Sequence, residues 1–175
     1  MDLKKYIRSI PDYPKKGILF RDITTLIKNK DAFKECINKM GNLLSKLDYH
    51  KIAAIESRGF IFASPLSYNL SKPNILMRKK NKLPAEKYSV DFELEYGKAT
   101  LEIHKDSIEE NEKVVIVDDL IATGGTAEAA AKLVEKSGGK VAAFIFVINL
   151  FDLGGKKLLE NKGYKTFSLL DFPGH

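Results

Sequence analysis

The feature that most restricts this chain is residues 114–126, Val-Val-Ile-Val-Asp-Asp-Leu-Ile-Ala-Thr-Gly-Gly-Thr. Four successive β-branched residues read as a strand buried on both faces, since a strand with one wet face would alternate apolar and polar positions. The strand ends in two carboxylates and runs into a small-residue loop that opens a helix. The first N–H groups of such a helix have no partner within it, and its dipole adds positive potential, so the loop is a cradle for phosphate. Gly124 and Gly125 permit close backbone approach, and Thr123 and Thr126 add hydroxyl donors. Asp118 and Asp119, at the carboxyl end of the strand, can accept hydrogen bonds from sugar hydroxyls. Phosphate beside a sugar diol describes a phosphorylated ribose. Two commoner nucleotide motifs fail: the Walker pattern needs Gly-Lys-Ser/Thr where this chain has Gly-Gly-Thr, and no G-x-G-x-x-G is present.

The remaining pattern supplies the sheet that such a strand needs. Apolar residues at Phe33, Ile37, Met40, Leu44 and Leu47 predict one face of a helix over 31–47 that Asp31 caps, with Cys36 as a small packed thiol. Short apolar runs at 52–55, 74–77, 114–117 and 141–148 predict buried strands. Residues 60–70 and 127–136 predict helices, the second ended by Gly138 and Gly139. Strand and helix in alternation imply an α/β fold with a mainly parallel sheet covered on both faces. Residues 88–104 instead alternate with period two about Gly97-Lys98, a hairpin signal. The basic stretch before it, 78–84, buries little and is expected to be mobile. No repeat or flexible linker interrupts the 175 residues, which are expected to form one domain.

Composition narrows the classes of function. With 44% hydrophobic and 30% charged residues the chain is neither disordered nor low in complexity. Its longest apolar run, 141–148, is too short to span a membrane, and the first 13 residues lack a signal peptide's apolar core. A lone cysteine excludes an intrachain disulfide and a thiolate metal cluster, and fits a reducing cytoplasm. Residues 1–90 carry 19 Lys and Arg against 8 Asp and Glu, while residues 91–175 carry 10 against 15, so the first half is suited to anions. Nucleic acid is a competing anion, but a groove-reading or base-stacking element is missing. His50, His104 and His175 have no metal-ligand spacing, so a metal would arrive on the substrate.

The acidic pair and its loop resemble the phosphoribosyl-pyrophosphate motif of the type I phosphoribosyltransferases. Four further blocks are similar to the adenine-using branch of that family: Pro-Asp-Tyr-Pro-Lys-Lys-Gly-Ile-Leu-Phe-Arg-Asp-Ile at 11–23, Glu-Ser-Arg-Gly-Phe at 56–60, Arg-Lys-Lys-Asn-Lys-Leu-Pro at 78–84 and Leu-Glu-Tyr-Gly at 94–97. The resemblance implies the family's fold, with a small hood over residues 1–30 and a flexible loop and hairpin over 78–104. It also implies the site. Residues 122–126, Ala122 to Thr126, would hold the 5'-phosphate; Asp118 and Asp119 the ribose hydroxyls; Ser57 and Arg58 the pyrophosphate. Arg78, Lys79 and Lys82 would close over the diphosphate, and Tyr96 would either touch it or simply pack. Leu19, Phe20 and Arg21 with Leu120 would enclose adenine, and Glu95 would lie nearest its nitrogens.

The implied reaction is purine salvage: adenine N9 displaces pyrophosphate from 5-phosphoribosyl 1-pyrophosphate, giving AMP, with Mg²⁺ carried by the substrate and a homodimer as the implied assembly. Arg58 and Glu95 are its expected catalytic residues. Three positions depart from the family's pattern: Asn81 and Ala85 stand where glycine is usual, and Phe92 where tyrosine is common. The phosphate motif alone would also admit guanine, hypoxanthine or orotate, and a nucleic-acid-binding regulator would need an added module such as a helix-turn-helix.

Overall fold

A computed structural model describes residues 1–94 and 96–175. Its centre is a seven-stranded sheet of order β5-β6-β4-β3-β7-β8-β9. The strands are β3 (Lys51–Ile55), β4 (Asn74–Lys79), β5 (Lys87–Glu93), β6 (Lys98–His104), β7 (Lys113–Ile121), β8 (Lys140–Leu150) and β9 (Thr166–Phe172). From β4 to β9 neighbours run parallel, and β5 and β6 join the β4 edge as antiparallel strands. A separate two-stranded antiparallel ribbon, β1 (Arg8–Pro11) with β2 (Leu19–Asp22), forms the hood.

Successive residues of the central strands face opposite sides. Val115 and Val117 of β7 pack with Met40, Phe62 and Leu66, which lie on α2 (Lys30–Leu44) and α3 (Gly59–Leu70). Val114 and Ile116 pack instead with Ala130, Leu133 and Val134 of α4 (Gly125–Lys136). The continuous apolar runs are explained by helices on both faces. A short α1 (Thr24–Ile27) precedes α2. Among the described residues no helix is long and apolar enough to cross a membrane.

Several boundaries differ from expectation for local reasons. The cap of α2 is Asn29, whose side chain accepts from the Ala32 N–H at 2.9 Å; Asp31 sits in the first turn, where its charge still complements the dipole. The helix stops at Leu44, and Leu47 reaches the core from beyond it. Strand β7 continues past the acidic pair to Ile121, which pairs with Asn149, so both carboxylates project from within the strand. Lys98 pairs with Glu93, and the Leu94 N–H donates to the Gly97 carbonyl at 2.9 Å, so the hairpin turns before Lys98. Cys36 lies in the core, where burial pushes its thiol up to about 12.

Candidate active site

Strand β7 delivers the acidic pair to the carboxyl edge of the sheet, and α4 starts six residues after Asp119. Between them, Ala122 to Thr126 curl around a cavity of about 250 Å³ that Arg58, Asp118, Asp119, Leu120 and Phe146 also line. The structure therefore gathers Arg58, both carboxylates, Leu120 and the whole expected cradle at one place. Gly124 adopts φ +94°, a conformation that side chains with a Cβ resist, and it brings the loop round to the helix start.

The carboxylates have different surroundings. Asp119 is buried, and its Oδ2 lies 3.0 Å from Arg58 Nε without an aligned hydrogen bond, leaving that oxygen without a donor. Asp118 Oδ1 accepts the Asp119 N–H at 2.8 Å. Burial, then the adjacent Asp119 charge, push Asp118 well above the ordinary carboxylate range; burial also raises Asp119, against the opposing Arg58 charge. A buried acceptor with no donor beside a raised carboxyl suits ligand hydroxyls, which supply the missing hydrogen bonds.

Arg58 also links this cavity to the hood. Its guanidinium stands 5.6 Å from the Phe20 ring centre, and Tyr13 meets that ring edge-on at 5.2 Å. Leu19 and Phe20 are half-buried, whereas the Arg21 side chain is buried and turns away to Ser9 and Pro173. Only the backbone of Arg21 is left to face a base. Across the opening, Lys15 Nζ sits 3.6 Å from the Tyr96 ring centre, so hood and hairpin tip touch.

The remaining expected residues are dispersed. Ser57 is exposed in the turn before α3, after a cis Glu56–Ser57 peptide. Lys79 lines a neighbouring cavity of about 730 Å³, which shares Leu94 and Thr126 with the first; Arg78 and Lys82 line neither. Glu95 lies outside the described residues. Asn81 has φ +65°, so this departure from glycine preserves the left-handed backbone that asparagine tolerates.

Three contributors were assigned no role from the sequence. Glu56 Oε2 accepts the Lys79 N–H at 2.9 Å and lies 3.3 Å from Arg78 Nε, fixing the start of the basic segment. Buried Glu102 accepts from the Asn81 N–H and from Ser89 Oγ, each at 3.1 Å. Its strand buries Leu101, Glu102 and Ile103 in succession, whereas the period-two alternation of the sequence put this carboxylate on the polar face. Gly155, at the start of α5 (Gly155–Asn161), donates its N–H to the Ala122 carbonyl at 3.0 Å and supports the cradle from behind. Here the signal existed: a Gly-Gly pair after an apolar strand marks a close backbone approach.

The chain is similar in sequence and fold to known proteins. The phosphoribosyl transferase domain family matches residues 22–173. The adenine phosphoribosyltransferase of Pelagibacter ubique (strain HTCC1062) is 70% identical over 175 residues, covering 100% of both chains. The crystal structure of adenine phosphoribosyltransferase from Thermoanaerobacter pseudethanolicus superimposes with a TM-score of 0.93 at 50% identity, over 98% of each chain. The Saccharomyces cerevisiae enzyme of the same name, crystallised with an imino-altritol bisphosphate and adenine, gives a TM-score of 0.89 at 35% identity, over 97% of each.

Proposed function

Since this chain belongs to the phosphoribosyl transferase family, as a member of its adenine phosphoribosyltransferase branch, we propose how its residues divide the work of purine salvage. The enzyme transfers phosphoribosyl from 5-phosphoribosyl 1-pyrophosphate to adenine N9, giving AMP and pyrophosphate. The observation that carries the assignment of roles is the single cavity joining the 122–126 cradle to the Asp119 oxygen that lacks a donor. In this reading the cradle amides and the Thr123 and Thr126 hydroxyls take the 5'-phosphate, and Asp118 and Asp119 accept from the ribose hydroxyls.

As the bond from C1 to pyrophosphate stretches, positive charge grows on the ribose ring and negative charge on the leaving group. Arg58 swings from Asp119 to the diphosphate, where a charge-assisted bond contributes about 1.5–3 kcal/mol. Ser57, Arg78, Lys79, Lys82 and Tyr96 are assigned to the same anion. Adenine N9 attacks C1 from the opposite face, with inversion, as the C1–oxygen bond to pyrophosphate breaks, and the proton of the adenine imidazole ring leaves to solvent. Leu120 and Phe20 are assigned to the faces of the base, and Glu95 to its nitrogens.

Magnesium fits the oxygen-only donors Asp118 and Asp119, hard ligands of which one oxygen has no donor. In this proposal the ion arrives on the substrate, carried by its diphosphate and ribose oxygens. Bound there it would neutralise charge on the departing diphosphate. A homodimer is part of the proposal: exposed Ile61 and Tyr68 lie seven residues apart on α3 and offer apolar surface to a second copy. A reducing cytoplasm suits the lone, core-buried Cys36.

Base choice tests the assignment. Adenine and hypoxanthine have nearly one shape but opposite hydrogen-bond polarity at position 6 and N1. Among the described residues strand β2 pairs with β1 alone, so its other edge offers backbone groups of fixed polarity near Leu19 and Arg21. Two mismatched groups at about 1–3 kcal/mol each give a preference from about 30-fold to above 10⁴-fold. Pyrophosphate release with each base should therefore give kcat/KM at least about a hundredfold higher for adenine than for hypoxanthine. Glu95→Gln should lower turnover more than it alters that ratio. Comparable efficiency with both bases would overturn the base-site assignment.

A further inference from the structure

Arg21 is 6% exposed, and its guanidinium is held by groups without net charge. One Nη donates to Ser9 Oγ, the other donates to the Pro173 carbonyl at 2.9 Å, and the cation lies 4.7 Å from the Phe172 ring centre. Its Nε has no partner, and burial lowers the affinity of the group for its proton, opposed by the charge of Asp152. A cation so poorly compensated is usually found on the surface. Its position has to be maintained by the shape of what surrounds it.

What surrounds it is the end of β9 with the residues that follow, and that segment is itself firmly fixed. Phe172 pairs with Leu150 at the end of the sheet and receives Lys4 Nζ at 5.5 Å from the ring centre. The Gly174 N–H donates to Asp152 Oδ1 at 2.6 Å, and a Cβ on Gly174 would lie 2.6 Å from Leu153 Cγ, so the backbone there is pressed against the body. The hood, in contrast, is a two-stranded ribbon, which has little stability alone. Ser9 and Arg21 are cross-strand partners, so one guanidinium ties both strands of the ribbon to this seat.

We propose that Phe172, with the Pro173 carbonyl, is a positioning device for base selection: it seats the Arg21 side chain and so fixes the β2 backbone that reads adenine. The inference rests on the hood reading above. Discrimination by polarity requires donors and acceptors held to within about 0.5 Å, and a ribbon free to slide would accept either base. Phe172 is a positioning residue that acts through Arg21, from 151 positions away in the chain.

The test uses the full-length enzyme with Phe172→Leu, which keeps apolar bulk but removes the aromatic face, and Phe172→Tyr, which keeps that face. Arg21→Lys, which keeps charge but loses the fork, should raise the adenine KM in the same direction. In Phe172→Leu the adenine KM should rise about tenfold and the adenine-to-hypoxanthine ratio of kcat/KM should fall at least about fivefold. The KM for phosphoribosyl pyrophosphate and kcat should stay within about twofold, and Phe172→Tyr should match the parent enzyme. Amide hydrogen exchange across residues 8–22 should quicken in Phe172→Leu and not in Phe172→Tyr. Unchanged exchange there overturns the seat, as do equal losses for both substrates, the signature of a generally loosened fold. Faster exchange with an unchanged adenine KM overturns instead the hood as base reader.

Discussion

Burial and the adjacent Asp119 charge push Asp118 up, so holding it ionised at neutral pH opposes folding. A carboxyl raised in the folded state stabilises the fold while protonated; that contribution is present below the unfolded value and lost as pH rises through the folded one. Asp118→Asn should therefore raise the melting temperature of the ligand-free protein at pH 8, with a gain that shrinks as the pH falls towards 4. The amide oxygen can still accept the Asp119 N–H. Activity should move the other way, with kcat/KM falling about 10- to 150-fold for the loss of one charge-assisted bond to ribose. Thermal melts at the two pH values and steady-state kinetics check both halves, and a variant destabilised at pH 8 contradicts the argument. The order of strand, acids and glycines made this pair legible in the sequence. The approach of Arg58 to Asp119 was not legible, because it joins two strand ends across the sheet.

At the scale of elements, the phosphate loop depends on α5, a helix that the sequence pattern did not reveal. Its seven residues bury only Gly155 and Leu159, too few to create a visible helical stripe. Strand β9 was missed for a related reason: as an edge strand it is mostly half-buried, and its pattern shows neither clean alternation nor a continuous apolar run. The periodic α2 and the apolar strands β3, β7 and β8 were legible because packing fills every turn or every residue. A Cβ on Gly155 would lie 2.4 Å from the Ala122 oxygen and 2.7 Å from the Gly124 nitrogen. Gly155→Ala should thus displace the cradle from behind, raising the KM for phosphoribosyl pyrophosphate at least about tenfold and destabilising the fold by about 1–3 kcal/mol. Gly125→Val enters from the other side, where a Cβ meets only the Glu93 carbonyl at 3.4 Å. It should block the ligand with a smaller loss of stability. Calorimetry and substrate titration separate the two, and similar stability in both variants would contradict the buttress.

For the molecule as a whole, the charge asymmetry acquires a direction. The excess of cations over residues 1–90 includes Arg58, Arg78, Lys79 and Lys82, all assigned to the diphosphate. An anionic substrate should be drawn in by their field, and neutral adenine should not. Raising ionic strength from about 0.05 to 0.3 M should increase the KM for phosphoribosyl pyrophosphate several-fold and leave that for adenine nearly constant. Salt-insensitive values for both would restrict these charges to short-range contact. The bond from Arg21 to Pro173 spans 152 positions, which also bears on how the enzyme is made. During synthesis the hood leaves the ribosome 152 residues before its fastening point. A nascent chain can assemble much of its sheet while the ribbon waits unsecured, and interrupted translation products would carry a hood with nowhere to dock.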